Sequence, residues 1–340
     1  MKILFIGSLK HGGYFQYLSF KKIYKNIDVI DCQEFFLSSS IFRKIFHHIS
    51  PKIFEPFLNN FILSRIKKKY DLIYVMTSDC IGKKLILNLK KKARKTIVFL
   101  EDNPFGKRDK NRWKLYLDAA RYYDLTVVFQ RSRMIMGKKH GVKSFLLIPP
   151  PYQKNVHCKK KISSKEKNKL SSEVIFIGTW FPDRGVFFKR LIDLGLNIKI
   201  YGTRWYKDPN YSLIKSNITL GHIKDPMYSK LIQCSKISIC LPSAGNFDGI
   251  TKRSTEIPAI GTLLCAQRTK EHKILFKENM EAVFFKDADE CYKKCINLSK
   301  NNSKRRKIAN NGYIKITKII KADYLSTIKT IIKKINLKKI

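Results

Sequence analysis

The chain has 340 residues, 44% of them hydrophobic, and a formal charge of +43 from 69 Lys and Arg against 26 Asp and Glu. That length exceeds one ordinary core and suits two α/β domains of about 150 residues each, and the apolar content excludes a disordered chain despite the charge. No helix-turn-helix, zinc-finger, RRM or KH signature accompanies the charge, which excludes the common nucleic-acid binders, and no run of about 18 apolar residues exists to span a membrane. From the N-terminus, the apolar run in MKILFIGSLK is too short for a secretory leader and reads as a first strand over Ile3–Ile6. Further strands are predicted at Asp28–Ile30, Leu72–Met76, Thr96–Leu100, Leu125–Phe129 and Phe145–Ile148. After a break come Val174–Ile177, Ile198–Tyr201, Ile237–Leu241 and Leu263–Cys265. Most are continuous apolar runs rather than alternating ones. Strands covered on both faces by helices read that way, so the fold class is α/β with two doubly wound, Rossmann-like parallel sheets.

The break falls after Pro149-Pro150-Pro151. Residues 158–172, CKKKISSKEKNKLSS, are polar and lack aromatics, as a linker or surface loop would. The expected division is an N-terminal domain over 1–157, a linker over 158–172, a C-terminal domain over 173–315 and a basic helix over 316–340. The eight cysteines include no CxxC pair, and Cys291 and Cys295 stand one helical turn apart with no second pair. We therefore expect reduced thiols, a cytoplasmic setting and no metal site.

Several features of the first half border its strand ends. Gly12 and Gly13, after the first strand, suit either close backbone approach to a ligand or an ordinary βα turn; GSLKHGG lacks the spacing of a dinucleotide motif. Asp102, after the strand ending at Leu100, is a candidate acceptor-contacting carboxylate or base, or an Asx-turn residue before Asn103-Pro104, with Glu101 as its competitor. In 41–66, Ile41-Phe42, Ile45-Phe46 and Ile49 recur at helical spacing beside Arg43, Lys44, His47 and His48; Phe54, Phe57 and Phe61 follow, then Lys67-Lys68-Lys69. The stretch suits docking on anionic lipid, or a core-facing helix with a solvated basic face.

The most specific segment is DGITKRSTEIPAIG, Asp248–Gly261. It leaves a polar loop, enters a helix and leads to the strand TLLCA. A helix N-terminus offers unpaired N–H groups and a positive dipole end to a diphosphate, and Lys252 and Arg253 add fixed charge. Glu256, one turn in, could accept from two ribose hydroxyls; by itself it is also a dipole-stabilised first-turn acid. Ala259 and Gly261 are small, allowing close packing of the helix on its sheet. Earlier, VIFIGTWFPDRG gives a strand, Gly178, a loop and then Arg184-Gly185. IKIYG ends a strand at Gly202, and GHIKDPMYSKLIQCSKISICLPS follows from Gly221.

These residues resemble family 4 retaining glycosyltransferases, and more closely their CgeB-like branch. The likeness rests on Arg253-Ser-Thr-Glu256, Ala259, Gly261, the strand TLLCA, Glu271 and FFKDADE over Phe284–Glu290, in that order, and covers 173 to about 315. The order in 70–152 is also similar to the acceptor domain of that branch. The resemblance implies a GT-B fold, two Rossmann-like domains facing a cleft, with a C-terminal helix crossing back to the first. It implies a nucleoside diphosphate sugar as donor substrate, with Arg184 on the diphosphate, Gly178 and Gly202 lining the nucleotide site and Asp248, eight positions before Glu256, facing the donor sugar. No cofactor and no metal are implied. The acceptor would be a glycan or lipid-linked, in bacterial surface glycan synthesis, in the cytoplasm or peripheral on the inner face of the plasma membrane. An epimerase-like enzyme of the same fold and a polyanion-binding protein are the alternatives.

Overall fold

The computed structural model describes residues 1–32, 34, 41, 44–46, 49–76, 78–106, 108–243 and 248–336. Phe42, Arg43, His47 and His48 of the basic stretch lie outside them. The chain divides into two compact units, one built on Met1–Ile148 and Tyr324–Ile340, the other on Pro149–Ala244 and Asp248–Asp323.

The first unit holds a six-stranded sheet. Its strands are β1 (Ile3–Ile6), β2 (Ile27–Ile30), β3 (Tyr70–Met76), β4 (Ala93–Phe99), β5 (Leu125–Val128) and β6 (Phe145–Leu147). Every pairing is parallel and the order is β2-β1-β3-β4-β5-β6. All four residues of β1 are buried. Leu4 and Ile6 enter one core and Ile3 and Phe5 the other, which is the period-2 consequence of helices on both faces. Helices α1 (His11–Lys21), α2 (Glu55–Leu63), α3 (Lys83–Lys91), α4 (Lys114–Ala119) and α5 (Arg131–Lys139) connect them.

The second unit runs β7 (Ser172–Ile177), β8 (Ile198–Gly202), β9 (Ile218–Leu220), β10 (Ser235–Cys240), β11 (Leu263–Gln267) and β12 (Val283–Phe285). Read from β9, the order is β9-β8-β7-β10-β11-β12, that of the Rossmann fold. Two strands absent from the sequence prediction, β9 and β12, are the two edges of this sheet and are three residues long; β9 leaves Thr219 and Leu220 exposed, so it has no buried apolar run. Its helices include α6 (Ser164–Leu170), α7 (Pro182–Asp193), α8 (Met227–Gln233), α9 (Arg253–Ile260), α10 (Lys270–Leu275), α11 (Ala288–Lys300) and α12 (Asn302–Ile314).

Three boundaries differ from the expectation. The N-terminal domain expected over 1–157 ends at Ile148, and residues 149–157 join the second unit. The stretch 158–172 belongs to the second unit and carries α6, started by a reciprocal capping box between Ser163 and Glu166. Its polarity reflects a helix with no buried residue, not a linker. The terminal helix expected over 316–340 begins at Tyr324: a π-helical turn over Lys315–Ile319 ends α12, and Tyr152 bridges Asp323 before the chain changes unit. That helix, α13 (Tyr324–Lys334), puts Ile328 and Ile331 into the core shared by Ile3, Phe5 and Phe20. Among the described residues no helix is long and apolar enough to cross a membrane.

Candidate functional site

In an open α/β sheet, ligands collect beyond the carboxyl ends of the strands where the strand order reverses. In the second unit that point lies between β7 and β10. Gly178 follows β7, donating its N–H to Tyr201 O at 2.8 Å and accepting from Trp205 Nε1 at 2.9 Å. A Cβ at Gly202 would sit 1.9 Å from Gly178 O, so the ends of β7 and β8 approach as closely as backbone allows. Gly202 is thus accounted for by backbone packing at the strand ends, and Gly178 by the Phe176 ring, 2.7 Å from where its Cβ would stand.

Arg184, in the first turn of α7, ties the two strand ends together. Its Nη1 donates to Thr179 O at 2.5 Å, past β7, and its Nη2 to Leu241 O at 3.0 Å, past β10. The side chain is buried, stacks over Phe176 and Phe181, and its Nε has no hydrogen-bond partner. Burial, reinforced by the nearby Arg253 cation, pushes its pKa down to about 10. Arg253 opens α9, and its buried Nε is likewise without a partner. Among the described residues no carboxylate lies within ion-pair distance of either guanidinium. A buried cation without an anion is costly, so this corner is complementary to a negative ligand.

Helix α9 is anchored from three sides. Thr255 Oγ1 donates to Pro150 O at 2.8 Å, and Thr251 N–H donates to Ser254 Oγ at 3.2 Å. Ser254 Oγ lies 2.8 Å from Nε2 of the fully buried His272, whose Nδ1 lies 2.7 Å from Gln267 O. The carbonyl can only accept, so Nδ1 carries the proton and Nε2 accepts from Ser254. Burial pushes His272 down to about 4. At the far end of α9, Gly261 adopts φ 96° and caps the helix. The closing glycine of the motif is therefore required by a left-handed backbone, not by the close packing its size suggests.

Glu256 is nearly buried, its side chain 12% exposed. Oε2 accepts from Tyr228 OH at 2.7 Å, and Oε1 lies 3.8 Å from His157 Nε2. Burial would raise this carboxyl, but His157, Arg253, Tyr228 and Lys252 outweigh it and hold it below its ordinary value. Lys252 is the N-cap residue of the same helix, and Asp248 enters the loop before it with its N–H on Ser243 O at 3.2 Å.

Gly178, Arg184, Gly202, Asp248, Lys252, Arg253 and Glu256 thus all belong to the second unit. Gly12, Gly13 and Asp102 belong to the first. Gly12 and Gly13 open α1, where a Cβ on Gly13 would lie 2.0 Å from Ser8 O. Asp102 follows β4 and accepts from Arg108 at 3.1 Å and from Arg112 at 3.4 Å, inside an ion-pair network with Asp79 and Asp109. Tyr228 lies in the segment running from Gly221, which the family resemblance makes a wall of the nucleotide site; His157 and His272 carry no signal in the sequence. His157 stands 99 positions before Glu256, beyond any local spacing rule. Cys265 joins Cys291 and Cys295, the three sulfurs within 4.8 Å of one another and fully buried. No fourth donor among the described residues completes a tetrahedral set there.

Residues 184–324 match a protein-family model described as glycosyl transferase-like. The solved structures similar to the chain include Anabaena HepE in complex with UDP, at 12% identity and TM-score 0.65, covering 98% of this chain and 99% of that one. They include the sucrose-phosphate synthase of Thermosynechococcus elongatus, at 10% and 0.71 over 98% and 99%. The trehalose-6-phosphate synthase OtsA matches at 11% and 0.65 over 98% and 99%. The fold is that of the GT-B glycosyltransferases. A comparison with curated protein sequences finds no match. At these identities the GT-B likeness concerns the fold, and chemistry must be argued from the residues.

Proposed function

We propose that this GT-B chain is a glycosyltransferase that binds a nucleoside diphosphate sugar in its second unit and moves the sugar to a carbohydrate or lipid-linked acceptor. The observation carrying this is the pair Arg184 and Arg253, two guanidinium groups with partnerless Nε atoms and, among the described residues, no carboxylate within ion-pair distance, set at the β7/β10 switch point. Arg253, Lys252 and the N-terminus of α9 neutralise the diphosphate as the sugar–phosphate bond breaks. Arg184 holds the two strand ends in register and adds its field. Glu256 accepts from the ribose hydroxyls, and Asp248 faces the sugar. The likeness to HepE, solved with UDP-glucose, favours a uridine nucleotide. Transfer is taken to be retaining and metal-independent, as the CgeB-like resemblance implies, with the leaving phosphate assisting the acceptor so that Asp102 serves the acceptor side without acting as an obligatory base. Bacterial surface glycans are the expected products.

The first unit supports a peripheral position at an anionic membrane: Ile41, Ile49, Ile53 and Phe57 are all more than half exposed, with Lys52 half-exposed beside them. The test of the central reading is the melting temperature against UDP, GDP, ADP, CMP, dTDP and NAD. A ligand bound only by the native state raises it by mass action. A rise with one diphosphate, lost in Arg253→Ala and Glu256→Ala, is expected; a rise with NAD alone rejects the reading. Incubating the donor sugar without acceptor separates transfer from epimerisation, which would yield a new isomer.

A further inference from the structure

We infer that His157 is a positioning residue for Glu256, holding its Oε1 open to a ribose hydroxyl; this rests on the ribose role proposed for Glu256. His157 comes not from the α9 segment but from the chain that enters the second unit after β6, and it is 7% exposed. Its Nδ1 accepts the Gln153 N–H at 3.1 Å. A nitrogen that accepts carries no proton, so in the neutral ring the proton sits on Nε2. That N–H faces two carboxylates: Glu256 Oε1 and Asp225 Oδ2, each 3.8 Å away.

The two oxygens of Glu256 are therefore unequal. Oε2 is committed to Tyr228 OH, and Tyr228 itself packs edge-on against the His157 ring at 5.7 Å. Oε1 faces the Nε2–H of the imidazole at 3.8 Å, too long for a hydrogen bond but close enough for the N–H dipole and the ring to orient it. Among the described residues no donor lies within hydrogen-bond distance of Oε1. The ring is itself fixed: Asp225 is held by Ser229 Oγ at 2.8 Å, and Gln153 N–H sets the tautomer. The carboxylate is thus oriented without its outer oxygen being consumed. That is what a group needs to accept a hydroxyl from an incoming nucleotide, and a hydroxyl is what separates UDP from 2′-deoxy-UDP.

Discrimination between those two nucleotides is the readout, measured by calorimetry on the full chain. Wild type is expected to favour UDP by about tenfold or more, the worth of a hydrogen bond to a charged group. Glu256→Ala should abolish the preference. His157→Asn keeps an acceptor for Gln153 but loses the Nε2 donor, and should cut it to threefold or less; His157→Gln restores a donor near Nε2 and should keep most of it. If Glu256→Ala keeps the preference, or wild type binds UDP and 2′-deoxy-UDP equally, the ribose reading falls and the inference with it. If Glu256→Ala loses it while His157→Asn retains it, only the inference falls. Should His157→Asn not fold, the wild type decides by nitrogen-15 NMR. The His157 Nε2 signal is expected to move with UDP and stay put with 2′-deoxy-UDP, and equal behaviour with both overturns the proposal.

Discussion

Arg184 shows what a residue costs when its partner is a ligand. A base whose pKa falls on folding carries a penalty at every pH below the folded value, relieved only as pH rises through it. For Arg184, held at about 10 against an ordinary 12.5, the penalty is on the order of 3 kcal/mol at neutral pH. A bound diphosphate would offset it. Arg253→Ala is therefore expected to weaken UDP binding by about ten- to a hundredfold, from the loss of a charge-assisted contact, while leaving the ligand-free melting temperature nearly unchanged. Arg184→Lys keeps the charge but not the fork spanning Thr179 O and Leu241 O, and about tenfold weaker binding is expected. Calorimetry with parallel melting curves checks both; unchanged affinity in Arg253→Ala rejects the diphosphate assignment. These arginines and Glu256 were legible because a helix start places charge within a few residues of itself. His157 was not, because only folding brings it to Glu256.

At the scale of elements, α9 depends on its neighbour α10 through one buried contact, Ser254 Oγ to His272 Nε2. His272 must stay neutral to accept it. Its pKa is lowered on folding, so the folded state resists protonation. Its contribution is fully present above the ordinary value near 6.5 and is lost as pH falls toward about 4. The loss amounts to roughly 3 kcal/mol over that window. His272→Gln, which keeps polar atoms but cannot titrate, should lower stability at pH 7 and flatten the slope between about pH 6.5 and 4. Denaturant unfolding at several pH values tests this, and parallel curves for the two proteins would sink it. Gly261→Ala forces a side chain into the left-handed cap and should cost about 1 kcal/mol, with UDP affinity within about twofold, because the cap lies at the end of α9 away from Arg253. The interior strands were readable because burial on both faces writes an unbroken apolar run. The edges β9 and β12 were not, and α6 was hidden because a helix that buries nothing has no apolar stripe to display.

At the scale of the whole molecule, a charge of +43 with few acidic residues to balance it must either be solvated surface or meet a polyanion. The sequence left both readings open. Charge alone predicts adhesion to any anionic surface, falling steeply with salt because a Debye length shrinks from about 10 Å at 0.1 M to about 3 Å at 1 M. A membrane-docking face requires more: apolar side chains that leave water. Ile53 and Phe57, exposed at 55% and 65% near Lys52, are the residues to test. The chain is expected to sediment with vesicles containing about a third anionic lipid, to release as salt rises toward 0.5 M, and to ignore neutral vesicles. Ile53→Ser with Phe57→Ser should reduce binding several-fold at fixed salt while leaving UDP affinity unchanged, since burying apolar area in the interface adds to the electrostatic term. If the double variant binds as well as the wild type, the face does not enter lipid and the charge acts only as a diffuse attractor. If the wild type binds neutral and anionic vesicles equally, the basic surface has no part in docking.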